Sequence, residues 1–495
     1  MMKKKALLLL ISAICISMVI TFSFSGCAAE PVEEVEEAVE EPVEEVEEAV
    51  EEVEEAVEEE PAEEEEVADS IIIHWAQWAP ADNLEELSQD FTAETGIEVI
   101  VEQTPWETFV QKYNVEMAAG SDAWDIIIAD SQDLGNMAVN GHFVELTDFV
   151  HEHDILDRYL ESAMYYFGEY PKGYGRYFAI PCEGDALGWA YRADLFEDPD
   201  NMAAFEEEYG YPLRVPESWD EIRDIAEFFH DPDNDFYGVA IYGDNGYDSL
   251  AMFAMQTIRV YGGDLGNFET YEVDGYLNSE GAVKGIEYYK ELYGYVPPGF
   301  GDAFYVATND AFVNGIVPMA TNYFAFLPAL ITEATNPYAA DTGFFTCPPQ
   351  ETVDGEVKQT AALGGQGASM VSYISEPRKN AAYMWLEWFQ RDETQAKWGL
   401  MPGSFTCHKA TLESDEFLNA APFNPNMKET FEIFEDWWAV PEYDEMLRSF
   451  SEIIGRYVIG CEGSAEEVLE EVTEEWTDVF EQAGYYDPDF DPGDF

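Results

Sequence analysis

Between residues 70 and 129, three short apolar runs alternate with two stretches of helical spacing. The first run, SIIIHW at 70–75, is followed by Leu84, Leu87 and Phe91 at helix intervals, and Gly96 closes that stretch in the manner of a C-cap. IEVIV at 97–101 forms the second run, a helical segment over 109–119 ends at Gly120, and DIIIA at 125–129 forms the third. Runs this short and this rich in Ile and Val are buried strands. Strands alternating with helices at this rhythm predict a mostly parallel α/β sheet. Ligands of such sheets sit beyond the carboxyl ends of the strands, which directs attention to 75–83 and 130–133.

The residues before 70 read as an address and a spacer. Lys3, Lys4 and Lys5 precede an almost wholly apolar stretch at 6–24, which is the pattern of a signal peptide. Phe24-Ser25-Gly26-Cys27 resembles a bacterial lipobox, which predicts that residues 1–26 are removed and that Cys27 is lipidated. The unit PVEEVEEAVEE occurs at 31–41 and again at 42–52, and residues 27–69 hold 23 acidic residues and no Lys or Arg. Its valines recur three or four residues apart, but like charges at i,i+4 oppose a helix, so an extended acidic tether is expected.

The whole chain carries 104 Asp and Glu against 22 Lys and Arg, a net charge of −82. That balance excludes nucleic acid as a partner and leaves a membrane only through the lipid anchor. No Walker loop or G-x-S-x-G is present, so neither nucleotide hydrolysis nor serine-esterase chemistry is supported. His151 and His153 are too close on a helix to share a ligand. Asp231, Asp233 and Asp235 resemble the start of a calcium loop, as do Asp487, Asp489 and Asp491, but both lack the glycine and glutamate that complete one. Cys182, Cys347, Cys407 and Cys461 of the mature chain allow three pairings. Glu183 and Asp185 could be a glycosidase pair, although close carboxylates are expected by chance in so acidic a chain.

Nine segments in order resemble extracellular solute-binding proteins of the family that includes maltose-binding protein. They are FTAETGIEV at 91–99, AGSDAWDII at 119–127, GHFVEL at 141–146, YFAIP at 177–181, YRADLF at 191–196, PESWDEI at 216–222, FVNG at 312–315 with Met319, GGQG at 364–367 and SAEEVL at 464–469. The resemblance implies an α/β, two-lobed periplasmic-binding-protein-like fold that closes on ligand about a hinge. It implies lobe 1 at 70–181, lobe 2 at 182–330, a return to lobe 1 at 331–372, and a C-terminal helical part at 373–495 shared mainly with lobe 2. The first crossing is expected near 181–185.

By the same resemblance the chain is not an enzyme. It is a lipid-anchored receptor on the extracytoplasmic face that captures a neutral carbohydrate or polyol and hands it to the permease subunits of an ABC importer. A monomer is expected, with no cofactor and no metal. A surface sensory or adhesion protein, or a receptor for an amine or cationic solute, are the alternatives. Neutral sugars need flat aromatic faces and planar polar groups. Trp75, Gln77 and Trp78 after the first strand, and Asp130 and Gln132 after the third, offer both. Asp185 matches a carboxylate that bonds a sugar hydroxyl in the family. Tyr242 and Tyr247 follow a strand expected at 239–242. Asn322, Tyr323 and Phe324 lie where the family carries an aromatic stacker, and Gln366 stands in place of a common Trp. Trp437 and Trp438 are expected in the core.

Overall fold

The computed structural model describes residues 66–495. The leader, Cys27 and the tether expected from the sequence lie outside the described residues.

Strand β1 (Ser70–Ala76) leads to helix α1 (Ala79–Thr95), β2 (Glu98–Thr104), α2 (Trp106–Ala118) and β3 (Ile126–Asp130). β1 lies between β2 and β3 and is parallel to both, with Ile72 opposite Ile100 and Ile73 opposite Ile126. Both helices begin earlier than the apolar spacing alone predicts. Pro80 sits in the first turn of α1 and Pro105 just before α2, where a missing N–H costs nothing. Gly96 does close α1, at φ 81°.

A second group of elements follows. The long strand β4 (Ile180–Arg192) precedes α3 (Trp219–Phe229), α4 (Ser249–Val260), α5 (Glu280–Tyr293) and α6 (Tyr305–Val313). Then come β5 (Met319–Tyr323), β6 (Thr342–Phe345), the small hairpin of β7 (Gln350–Glu351) and β8 (Val357–Lys358), and the second long strand, β9 (Ala361–Met370). Helix α7 (Glu376–Phe389), β10 (Phe434–Glu435), α8 (Tyr443–Val458) and α9 (Ala465–Gln482) complete the order.

β4 and β9 join the two groups. The sheet runs β2-β1-β3-β9-β4-β5, with β6 also on β4 and β10 also on β9. The first half of β4, from Ile180 to Ala186, pairs antiparallel with β9, while Leu187 to Arg192 pair with β5 and β6. The far end of β9 pairs with β3, Gln366 opposite Asp130. β4 is buried on both faces along almost its whole length. Trp189 stacks on Phe345 at one end, and Trp398 donates to the Cys182 carbonyl (2.9 Å) at the other. α4 is buried at every position, its polar Gln256, Thr257 and Arg259 included, because their side chains bond Cys347, the Ala254 carbonyl and Asp264.

The strand expected at 239–242 is reduced to a single bridge between Ala240 and Ala320. The Gly243 and Asp244 amides both turn to the Ala303 carbonyl, which ends the pairing. The four cysteines are free thiols, three buried and Cys461 exposed. Asp231 to Asp235 form a tight turn around Pro232, and among the described residues no cluster of His, Cys, Asp or Glu is arranged to hold a metal ion. Among the described residues no helix is long and apolar enough to cross a membrane.

α9 starts on a capping box. Ser464 Oγ accepts from the Glu467 amide (3.3 Å), and the Glu467 carboxylate accepts from the Ser464 amide (3.1 Å). Trp476 of the same helix donates to the Met446 carbonyl of α8 (3.2 Å), so the cap anchors a packed pair. Ser464→Ala is expected to lower the unfolding free energy by about 1 kcal/mol, read from the urea midpoint at unchanged slope.

Candidate functional site

The carboxyl ends of β1, β2 and β3 converge on one small chamber. Trp78 comes from the end of β1, Trp106 from the start of α2 after β2, and Asp130 and Gln132 from the end of β3. β4 supplies Asp185, and β9 supplies Gly364, Gly365 and Gln366. The segments around α4, α6 and β5 add Tyr247, Asp248, Phe304, Tyr305, Tyr323 and Phe326. The chamber volume is about 50 Å³, and beyond Trp106, Asp130 and Tyr247 lies a wider recess of about 540 Å³.

Six aromatic side chains close a ring around the chamber. Trp78 meets Trp106 edge-on at 5.2 Å, Trp106 meets Tyr247 at 6.4 Å, and Tyr247 meets Phe304 at 6.4 Å. Phe304 then meets Tyr305 at 5.1 Å, Tyr305 stacks on Phe326 at 4.2 Å, and Phe326 returns to Trp78 at 5.9 Å.

The floor is polar. Gln366 donates to Asp130 (2.5 Å) and accepts from the Trp75 indole (2.6 Å), while Tyr247 donates to the other Asp130 oxygen. Asp436 accepts from Gln132 (2.5 Å) and from Ser131 (2.7 Å), fixing the turn after β3. Asp185 accepts from the Ala186 amide (2.8 Å) and the Ala325 amide (3.3 Å). Side chains at 364 and 365 would fill this floor. A Cβ at Gly364 would lie 2.4 Å from the Tyr323 ring, and Gly365 has φ +151°, a backbone that L side chains rarely adopt.

Four polar atoms of the chamber walls have no hydrogen-bond partner among the described residues. They are the Trp78 and Trp106 indole nitrogens, the Tyr323 hydroxyl and Asp248 Oδ1. Burial pushes the Asp185 and Asp248 carboxyls well above their usual range. It raises Asp130 too, and the Gln366 and Tyr247 hydrogen bonds pull the other way.

Of the residues singled out in the sequence, Trp78, Asp130, Gln132, Asp185, Tyr247, Tyr323 and Gln366 line the chamber. The others stand elsewhere. Trp75 is fully buried behind Gln366. Gln77 is exposed and linked by its amide to the Thr104 carbonyl. Tyr242 lies beneath β5, its hydroxyl on Asn322 (2.7 Å), and Asn322 faces away from Tyr323 because strand side chains alternate. Phe324 is buried over Gly188. Glu183 does not line the chamber and accepts from the Phe405 amide (3.0 Å). Trp437 and Trp438 are buried. Sequence reasoning missed Trp106, Asp248, Phe304, Tyr305 and Phe326.

This protein belongs to the bacterial extracellular solute-binding proteins, whose family model matches residues 86–425. Such proteins bind solutes and are not enzymes. It is similar to YcjN of Escherichia coli (strain K12), 30% identical over 124 residues, which are 24% of this chain and 27% of YcjN. It is also similar to the maltotriose-binding protein of Pyrococcus abyssi, 21% identical over 263 residues. That match covers 52% of this chain and 50% of the relative, so the chain spans half or less of the length of either protein. Among solved structures, maltose-bound MalE3 of T. maritima superposes with a TM-score of 0.70 at 20% identity, over 83% of this chain and 100% of that one. A solute-binding protein of Agrobacterium radiobacter K84 in complex with ribitol gives 0.69 at 22% identity, over 84% and 99%. These likenesses establish the two-lobed α/β fold that the sequence implies.

Asp133 lies just outside the ring, against the wider recess, and accepts from the Tyr113 hydroxyl. Burial lifts its carboxyl to about 7, against about 3.9 in an unfolded chain. Between these values the folded protein holds a proton that the unfolded chain has released. Asp133 therefore stabilises the fold most at acid pH and loses that contribution as the pH rises through about 7. Burial lowers His74 to about 4, which acts in the opposite sense but equally in wild type and variant. Asp133→Asn is expected to gain on the wild type as the pH rises from about 4 to about 7 in urea unfolding, and to gain no more above that. Equal pH slopes for the two proteins would exclude this role.

Proposed function

We propose that this protein is a lipid-anchored receptor that captures a carbohydrate or polyol, the class expected from the sequence, in the six-aromatic chamber and delivers it to an ABC importer. The closed ring of aromatic side chains over a floor of planar amide and carboxyl groups carries this reading. Aromatic faces cover the C–H surfaces of a polyhydroxylated ligand, and the unpartnered indole and phenol groups meet its hydroxyls. The solved neighbours include proteins with ribitol, maltose, tagatose and mannitol bound, which supports the class. In this reading Trp78, Trp106, Asp130, Gln132, Asp185, Tyr247, Tyr323 and Gln366 contact the solute. Trp75, Tyr242, Asn322 and Phe324 position them from behind. The ligand closes lobe 1 (70–181 with 331–372) on lobe 2 (182–330) about β4 and β9.

The anchor rests on the sequence around Cys27. Cys27→Ser is expected to move the protein from the membrane fraction to the soluble fraction and to abolish incorporation of labelled fatty acid. Retention of label in the variant would exclude lipidation at this residue.

A thermal-shift screen against sugars and polyols tests the binding reading. A solute at 100 times its dissociation constant adds about 2.7 kcal/mol of stability. Trp106→Ala and Asp185→Asn are each expected to weaken binding of the solute found by at least about tenfold, or about 1.4 kcal/mol, measured by calorimetry. Affinities within about twofold of wild type in both variants would remove the chamber from consideration as the site.

A further inference from the structure

The chamber's charge points beyond a neutral ligand. Three carboxylates line it, Asp130, Asp185 and Asp248, and among the described residues lining it there is no Lys, Arg or His. None of the three has a cationic side chain as a hydrogen-bond partner. Asp130 is held by an amide and a phenol, and Asp185 by two backbone amides. Asp248 Oδ1 has no hydrogen-bond partner among the described residues. Burying carboxylates without a counter-charge is costly. The same walls carry the ring of six aromatic side chains, each with a quadrupole that is negative on its face. Tyr323, only 6% exposed, adds an unpartnered hydroxyl. A ring of aromatic side chains beside carboxyl groups that have no cationic partner is the chemistry that recognises a cationic nitrogen, and the unpartnered donors still call for hydroxyl oxygens.

We infer that the solute of this chamber is a polyhydroxylated molecule bearing a cationic nitrogen, an amino sugar or amino polyol, with the nitrogen enclosed by Trp78, Trp106 and Tyr247 and facing Asp248 and Asp130. This rests on the reading of the chamber as the solute site and changes one feature of it, the charge of the ligand. Burial favours the protonated forms of the three carboxyls, and an ammonium ion among them supplies the counter-charge on which they ionise. It also leaves the Trp78 and Trp106 indoles and the Tyr323 hydroxyl free to bind ring or chain oxygens.

Matched pairs test the inference by calorimetry on the protein. Glucosamine is set against glucose and 1-amino-1-deoxysorbitol against sorbitol, with tetramethylammonium as a cation lacking hydroxyls. The amine of at least one pair is expected to bind at least about tenfold tighter than its neutral partner, a difference of about 1.4 kcal/mol. That preference is expected to collapse in Asp248→Asn and in Trp106→Ala. Attraction to the acidic surface would be common to every amine and unchanged in these variants, so a preference that survives both substitutions overturns the inference. Equal or tighter binding of the neutral partners overturns it while leaving the carbohydrate reading intact. Binding of tetramethylammonium alone keeps the cation and overturns the carbohydrate reading. A protein that binds no member of the panel overturns both.

Discussion

The antiparallel pairing of β4 with β9 is the constraint on which the rest of the molecule depends. These strands carry the chain between the β1–β3 group and the β5–β6 group, and their shared stretch lies beneath the chamber. Because β4 is buried on both faces, it should be apolar throughout, yet it carries Glu183 and Asp185. Each carboxylate is held by backbone amides from a different later segment, Phe405 for Glu183 and Ala325 for Asp185. The strand thus fixes two distant loops as well as its own neighbours. The opposing glycines of β9 leave the space above Asp185 into which the Tyr323 ring fits.

A second chain of interactions builds on that pairing. Trp75, Gln366, Asp130 and Tyr247 are linked in series, and they come from β1, β9, β3 and the segment before α4. Buried hydrogen bonds of this kind cost little when every member is satisfied and much when one is not. The chain sets the amide plane of Gln366 and so determines which Asp130 oxygen remains for Tyr247. It also ties the aromatic ring to the floor, because Tyr247 belongs to both.

Much of this was legible in the sequence, for physical reasons that differ from residue to residue. The βαβαβ start was readable because short Ile-rich runs bounded by Gly and Pro have few other uses. Asp130 and Gln132 followed from the rule that ligands sit at strand ends. The same rule applied equally to the end of β2, and following it there would have found Trp106. Phe304, Tyr305 and Phe326 had no such signal, because they sit at a helix start and in a 3₁₀ turn whose positions only tertiary packing defines. The three neighbours Asn322, Tyr323 and Phe324 could not be separated without the register of β5. Once Leu187 is opposite Tyr323, alternation sends Tyr323 to the chamber and Asn322 to the interior. Trp75 and Tyr242 illustrate the converse: residues near the site that serve it by holding others in place.

In the proposed reading of the chamber as the solute site, its unpartnered groups set which ligands it accepts. Apolar faces alone separate similar ligands weakly, since one added or missing methylene changes binding by about 1–3 kcal/mol. A ligand that leaves a buried donor or acceptor unpaired loses a further ~1–3 kcal/mol for each such group. The Trp78 and Trp106 indoles, the Tyr323 hydroxyl and Asp248 Oδ1 present four such tests on walls drawn from both strand groups. In the proposed reading, a molecule with the correct pattern of oxygens and charge satisfies them together.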